Sequence, residues 1–126
     1  MSFTRIYKVK SICLFLERSN PRNFLIQADG EVVSSGWKNS ELTFWRYNKP
    51  PVDGIQDFDF VAEPPTGIVL QVISPIDGEA MITDFNIKNY WGRGQPLMGV
   101  RVHATSNSLE KLIEGGCKEV EPKELL

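Results

Sequence analysis

Asp57 and Asp59 stand two residues apart in the run Ile55-Gln56-Asp57-Phe58-Asp59-Phe60-Val61. On a strand, that spacing puts both carboxylates on one face, about 7 Å apart. The pair suits acid/base chemistry, or a hard cation such as calcium, which takes several oxygen ligands. Asp53, Asp77 and Asp84 enlarge such a set only if the fold gathers them. The competing reading is a solvated strand face whose carboxylates pair with Arg46 or Arg101 across the sheet, an arrangement that contributes about 0–1 kcal/mol.

His103 is the only histidine. A nucleophile–base dyad therefore has to use it, with Ser, Thr or Cys117 attacking. No Gly-x-Ser-x-Gly elbow occurs, and one His with two distant Cys falls short of a zinc ligand set. Arg101 and His103 alternate with Val100 and Val102, which fits an ordinary polar strand face. In Tyr90-Trp91-Gly92-Arg93-Gly94 the glycines leave Arg93 on an uncluttered backbone, where its guanidinium can grip a carboxylate or phosphate. Tyr90 and Trp91 add the flat amphipathic area common at binding hot spots. The stretch lacks the Lys-Ser/Thr of a phosphate loop. Its alternative reading is a Trp91 lid over one end of the core beside a solvated Arg93. Trp37, Trp45 and Tyr47 form a second aromatic group, which suits a sugar or peptide groove or, more commonly, inter-sheet packing.

The elements that must position these residues read as strands. Around Phe58 and Phe60 the period of two predicts a sheet with a dry aromatic side and a wet acidic side. Ile6 to Leu16 is a long β-rich run, with a break in phase near Ser11 that predicts a bulge and with Cys13 as a small buried hydrophobe. Ser19-Asn20-Pro21 is a turn. Asp29-Gly30, between Phe24–Ala28 and Glu31–Ser35, predicts a two-residue hairpin. Glu41 to Tyr47 is a strand, and Pro50-Pro51 and Pro64-Pro65 are rigid turns. Ile68 to Ser74 is nearly all apolar, as for a strand buried on both faces. Pro75-Ile76-Asp77-Gly78 is a turn, Ala80 to Lys88 a weaker strand, and Asn89 to Pro96 a flexible loop. In Leu97 to Ala104, Met98, Val100, Val102 and Ala104 point inward. Leu109, Leu112 and Ile113 share one face of a short helix, capped by Asn107 or Ser108 with Glu110 and stopped at Gly115. Residues 117–126 are expected to be an extended or frayed tail.

With 126 residues, 41% hydrophobic and 24% charged, the chain fits one globular domain, residues 1–126, with no need of metal or disulfide. The net charge of −2 argues against a nucleic-acid binder. Residues 1–50 hold eight Lys/Arg and four Asp/Glu, and residues 51–126 hold six and twelve. Cys13 and Cys117 are the only cysteines, and a reducing compartment is the simpler reading. The apolar stretch Ile12–Leu16 is too short for a signal peptide or a membrane span, so a soluble cytoplasmic protein is expected.

These observations predict a mainly β fold, an antiparallel β-sandwich or partly open barrel with one short C-terminal helix. The expected role is a non-catalytic binding or interaction domain for a protein or small polar ligand. No metal, other cofactor, nucleic acid or membrane is called for. The candidate ligand-binding residues are Tyr90, Trp91, Arg93, Arg101, His103, Asp57 and Asp59. Exposed sheet edges leave a homodimer open. Two other readings compete: a small hydrolase or lyase using Asp57, Asp59, Arg101 and His103 in a cleft, and a calcium-assisted carbohydrate-binding module.

Overall fold

A computed structural model describes residues 2–18, 22–114 and 117–120. The fold is mainly β. Nine strands follow in chain order: β1 Thr4–Arg5, β2 Lys8–Glu17, β3 Arg22–Val32, β4 Lys38–Phe44, β5 Ile55–Glu63, β6 Ser74–Phe85, β7 Gly99–His103, β8 Ser108–Leu112 and β9 Cys117–Val120. They form two sheets. In the first, β5 is central. β4 and β1 both pair with Val61, so they lie on opposite edges of β5, and β7 shares the β1 edge. β8 then pairs with β7. The second sheet runs β6-β3-β2-β9. Both sheets are mixed: β5 with β7 and β2 with β9 are parallel. The expected all-antiparallel arrangement is corrected there.

The aromatic side of strand β5 behaves as its alternation predicts. Phe58 and Phe60 are fully buried and Ala62 follows on the same face. Opposite them, the second sheet contributes Ile12, Leu14, Phe24, Ile26, Ala28 and Val32, so the core lies between the sheets as in a sandwich. The bulge near Ser11 is present as a register shift between Val9 and Ser11. The side chain of Asn107 fills the gap: Val9 N–H donates to its Oδ1 at 2.9 Å, and its Nδ2 donates to Val9 O at 2.9 Å. A side-chain amide thus does the work of a neighbouring strand's peptide. With Thr105 N–H on Ile6 O and Ser106 N–H on Tyr7 O, it joins the two sheets along one side. On the other side Ser40 Oγ donates to Asp77 O, linking β4 to β6.

Four local expectations fail. Asp29-Gly30 is no hairpin, because β3 runs straight through it and pairs on both edges. Pro75–Gly78 is no turn either and lies inside β6. Both glycines are small because the core requires it. A Cβ on Gly30 would sit 2.4 Å from Ile6 Cδ1 and 2.5 Å from Lys8 O, and one on Gly78 would sit 3.0 Å from the Phe60 ring. The expected C-terminal helix is strand β8, antiparallel to β7. The only helical segment among the described residues is a 3₁₀ turn, Ile87–Asn89. The run after Ile68 is not a buried strand: Ile68 is 104% exposed and Leu70 71%.

Two smaller readings are also corrected. Cys13 is exposed rather than buried, being on the outward side of β2 with a free thiol. Met98 points outward at 48% exposure, and Leu97 takes the buried place at 2%. Of the expected tail 117–126, Cys117–Val120 form β9 against β2; the turn at Ser19-Asn20-Pro21, the helix stop at Gly115 and residues 121–126 lie outside the described residues. Among the described residues, no helix is long and apolar enough to cross a membrane.

Candidate functional site

The register of three strands builds one polar cluster. Parallel pairing of β5 with β7 sets Asp57 opposite Arg101 and Asp59 opposite His103. Antiparallel pairing of β7 with β8 sets Arg101 opposite Glu110. Side chains directly opposite each other project from the same face, so Asp57, Arg101 and Glu110 form a row across the first sheet. The chain leaving β4 closes over this row. Trp45 N–H donates to Asp57 O at 2.9 Å, and its ring stacks on His103 with centroids 4.6 Å apart. Two residues later Tyr47 reaches the carboxylate.

Asp57 is the hub. Its Oδ1 accepts from Arg101 Nη1 at 3.0 Å and from His103 Nε2 at 2.7 Å. Its Oδ2 accepts from Tyr47 Oη at 2.6 Å, and its backbone N–H donates back to that hydroxyl at 2.9 Å. An ionised carboxylate only accepts, so His103 carries its proton on Nε2. Asp57 is 5% exposed, not solvated as the wet-face reading expects. Burial alone would push its carboxyl up, but the hydrogen bonds from Tyr47, His103 and Arg101 outweigh it and hold the group below the usual carboxylate range. Burial and the bond to Asp57 raise the Tyr47 phenol well above its ordinary value. Arg101 also donates from Nη2 to Glu110 at 2.9 Å and to Asp53 at 3.1 Å. These bonds, led by Glu110, lock it in the charged form.

Beside this cluster stands the aromatic corner of the 90–96 loop. Tyr90 Oη donates to Gln56 Oε1 at 2.8 Å, satisfying a side chain that is 3% exposed. Burial pushes the Tyr90 phenol up to about 12. Trp91 Nε1 donates to Gly54 O at 2.9 Å, and its ring meets Tyr47 and Tyr90 edge-on at 5.1 and 4.8 Å. The loop is folded back on itself, with Trp91 N–H on Gln95 O and a bridge between Gly92 and Gln95, rather than loosely extended. Gly54 has φ +71, which favours glycine, and this turn aims its carbonyl at the indole. Between the two loops lies a cleft of about 370 Å³, lined by Pro50, Pro51, Val52, Trp91, Pro96 and Met98 among others, with Asp53 its one charged lining residue.

Of the seven candidate residues, the structure gathers Asp57, Arg101 and His103 into one hydrogen-bonded group. Tyr90 and Trp91 flank it through Gln56 and Tyr47. Two candidates lie apart. Asp59 pairs with Arg5, whose Nε and Nη2 reach Asp59 Oδ1 at 2.9 and 2.7 Å. Arg93 is exposed and does not line the cleft. Asp77 is on the second sheet, so the acidic residues do not converge on one cation. Among the described residues, no serine, threonine or cysteine hydrogen-bonds to His103.

Tyr47, Asp53 and Glu110 are absent from the candidate set: Tyr47 reads from sequence as a groove or packing aromatic, Asp53 as a possible addition to the acidic pair, and Glu110 as a helix cap. For Glu110 the signal existed: as a strand, Leu109-Glu110-Lys111 alternates, and Glu110 then faces Arg101. Replacing Tyr47 with Phe strips a hydroxyl from both the Asp57 carboxylate and its N–H. The expected loss is about 1–3 kcal/mol in urea unfolding, with the Asp57 carboxyl shifting upward in an NMR pH titration. The chain matches no protein-family model, no curated protein and no solved structure.

Proposed function

We propose that this chain is a non-catalytic binding domain. Its ligand site is the cleft between the 50–54 and 91–98 loops, and its ligand is an apolar side chain next to a basic group on a partner peptide. The observation that carries this reading is the fixed posture of Trp91: hydrogen-bonded through its indole nitrogen and braced edge-on by two tyrosines, it forms a wall that needs no ordering when a ligand arrives. The cleft falls within the size range of small-ligand sites. Val52 and Met98, 108% and 48% exposed, offer apolar surface at its rim. Asp53, Asp57 and Glu110 outnumber Arg101 in the adjoining network, so the field there favours a cation.

The polar network supports binding over catalysis because Asp57 is already fully engaged with neighbours. Asp57 stands outside the cleft and is tied to the cleft residue Asp53 through Arg101. The test is an NMR titration with two capped dipeptides, N-acetyl-leucyl-lysine amide and N-acetyl-leucyl-glutamate amide. The lysine peptide is expected to shift the Trp91 indole N–H and the amides of Gly54 and Met98 at millimolar concentration, and the glutamate peptide to do so more weakly. Met98→Ala should reduce those shifts without changing the unfolding midpoint. Shifts that miss these positions, or equal responses to the two peptides, refute the proposed ligand class.

A further inference from the structure

Residues 64–76 contain no charged side chain, and at their centre is Ile68-Val69-Leu70-Gln71-Val72-Ile73. Four of these six are large aliphatics open to solvent: Ile68 at 104%, Leu70 at 71%, Val72 at 52% and Ile73 at 55%. Exposed aliphatics concentrated in one short segment mark an interaction surface more often than accident. The segment is tethered along one edge only. Leu70 O accepts from Ser35 N–H at 2.9 Å, and Leu70 N–H donates to Ser35 Oγ at 3.0 Å. Val69 leans toward Gly36, where an added Cβ would meet its Cγ1 at 3.2 Å. The backbone groups of Val69 and Gln71 bond to nothing among the described residues. Natural edges are usually guarded by lysine, proline or a bulge, and residues 68–73 carry neither lysine nor proline.

We propose that this segment is a self-association edge whose occupant is the same segment of a second copy of the chain, paired antiparallel about a two-fold axis through Leu70. Such an axis must preserve the sheet face, so it sets Leu70 opposite its own copy, Ile68 opposite the copy's Val72, and Val69 opposite the copy's Gln71. In this register Ile68, Leu70 and Val72 form a continuous apolar strip with their counterparts. The Val69–Gln71 rungs exchange the backbone hydrogen bonds that the monomer leaves unfilled, while Leu70 keeps its bonds to Ser35. One register therefore satisfies both the aliphatic side chains and the open peptide groups. A charged peptide finds no counter-charge within residues 64–76. The chain bends at Val72, which keeps the ladder short. So small a contact falls below the usual area of a stable dimer, and the association is concentration-dependent, with Kd on the order of 100 µM.

Sedimentation velocity on the full chain from about 5 to 500 µM tests this. The wild type is expected to shift from monomer toward dimer over that range. Leu70→Lys, at an exposed position, should stay monomeric throughout with an unchanged unfolding midpoint. Gln71→Pro, which deletes the N–H needed for the rung, gives a second monomer without adding charge. With Cys13 and Cys117 replaced by Ser, Leu70→Cys should form a disulfide-linked dimer on mild oxidation, because the axis brings the two copies of that position face to face; Ile73→Cys should not. A wild type that remains monomeric at 500 µM overturns the proposal, as does association that survives both Leu70→Lys and Gln71→Pro.

Discussion

Replacing Asp57 with Ala is expected to lower the unfolding free energy by about 3 kcal/mol in urea titrations at pH 7. Removing one partner of a buried ion pair costs about 3–5 kcal/mol, because the remaining groups lose their compensation. The lower end applies here. Arg101 keeps Asp53 and Glu110 as partners, and its side chain is 26% exposed, whereas the Tyr47 hydroxyl and His103 Nε2 both lose an acceptor. The pH dependence follows from the depressed Asp57 carboxyl. A carboxyl that ionises more readily when folded stabilises fully above its unfolded pKa of about 3.9 and loses that contribution as pH falls through the folded value. The gap between wild type and Asp57→Ala should be constant from pH 7 to about pH 5 and narrow below about pH 4. A gap that stays the same at pH 2 would show that the charge on Asp57 carries none of the stabilisation.

Phe60→Ala should cost about 3–5 kcal/mol, the range for removing a fully buried phenyl ring. The more telling variant is its neighbour. A Cβ at Gly78 lies 3.0 Å from Phe60 Cε1 and 3.3 Å from Cζ, so Gly78→Ala should cost about 1–3 kcal/mol by crowding the ring. In a Phe60→Leu background the same change should cost less. A double-mutant cycle then gives a coupling of about 0.5–3 kcal/mol. Additive effects within 0.3 kcal/mol would mean that the ring and the glycine do not share this space.

That contact explains why part of the fold was illegible. Asp-Gly is a strong local turn signal, and it occurs three times, at Asp29-Gly30, Asp53-Gly54 and Asp77-Gly78. The first and last pairs fall inside long strands, with Asp29 opposite Asp77. Tertiary demand overrode local preference: the phenyl ring of Phe60, arriving from the other sheet, crowds out a side chain at Gly78, and Ile6 Cδ1 with Lys8 O does so at Gly30. The β8 misreading has a different cause. Leu109 and Ile113 are four apart, an even spacing that keeps them on one side of a strand or a helix alike. Only Leu112 separates the two, and it is 51% exposed. By contrast, the rhythm around Phe58 and Phe60 was readable because a period of two admits one interpretation.

Legibility of the site follows the same division. Asp57 with Arg101 was among the cross-sheet pairings available to the sequence, and His103 was singled out by being alone. Their convergence depends on a parallel register between strands about 44 positions apart, which no local pattern encodes. Tyr47 reaches Asp57 from beyond the end of β4, where alternation no longer guides a side chain. Asp59, two residues from Asp57 on the same strand, turned to Arg5 because β1 borders the far half of β5.

The side-chain amide of Asn107 that completes the bulge at Val9 lies 98 residues downstream of it. A ribosome adding about 5–20 residues per second takes about 5–20 s to cover that distance. For that interval the nascent chain holds a β2 without this partner, with the pairing strand β9 later still, and the flank beside Ile6 and Tyr7 stays unzipped for as long. The order of synthesis thus makes this stitch one of the last to be tied.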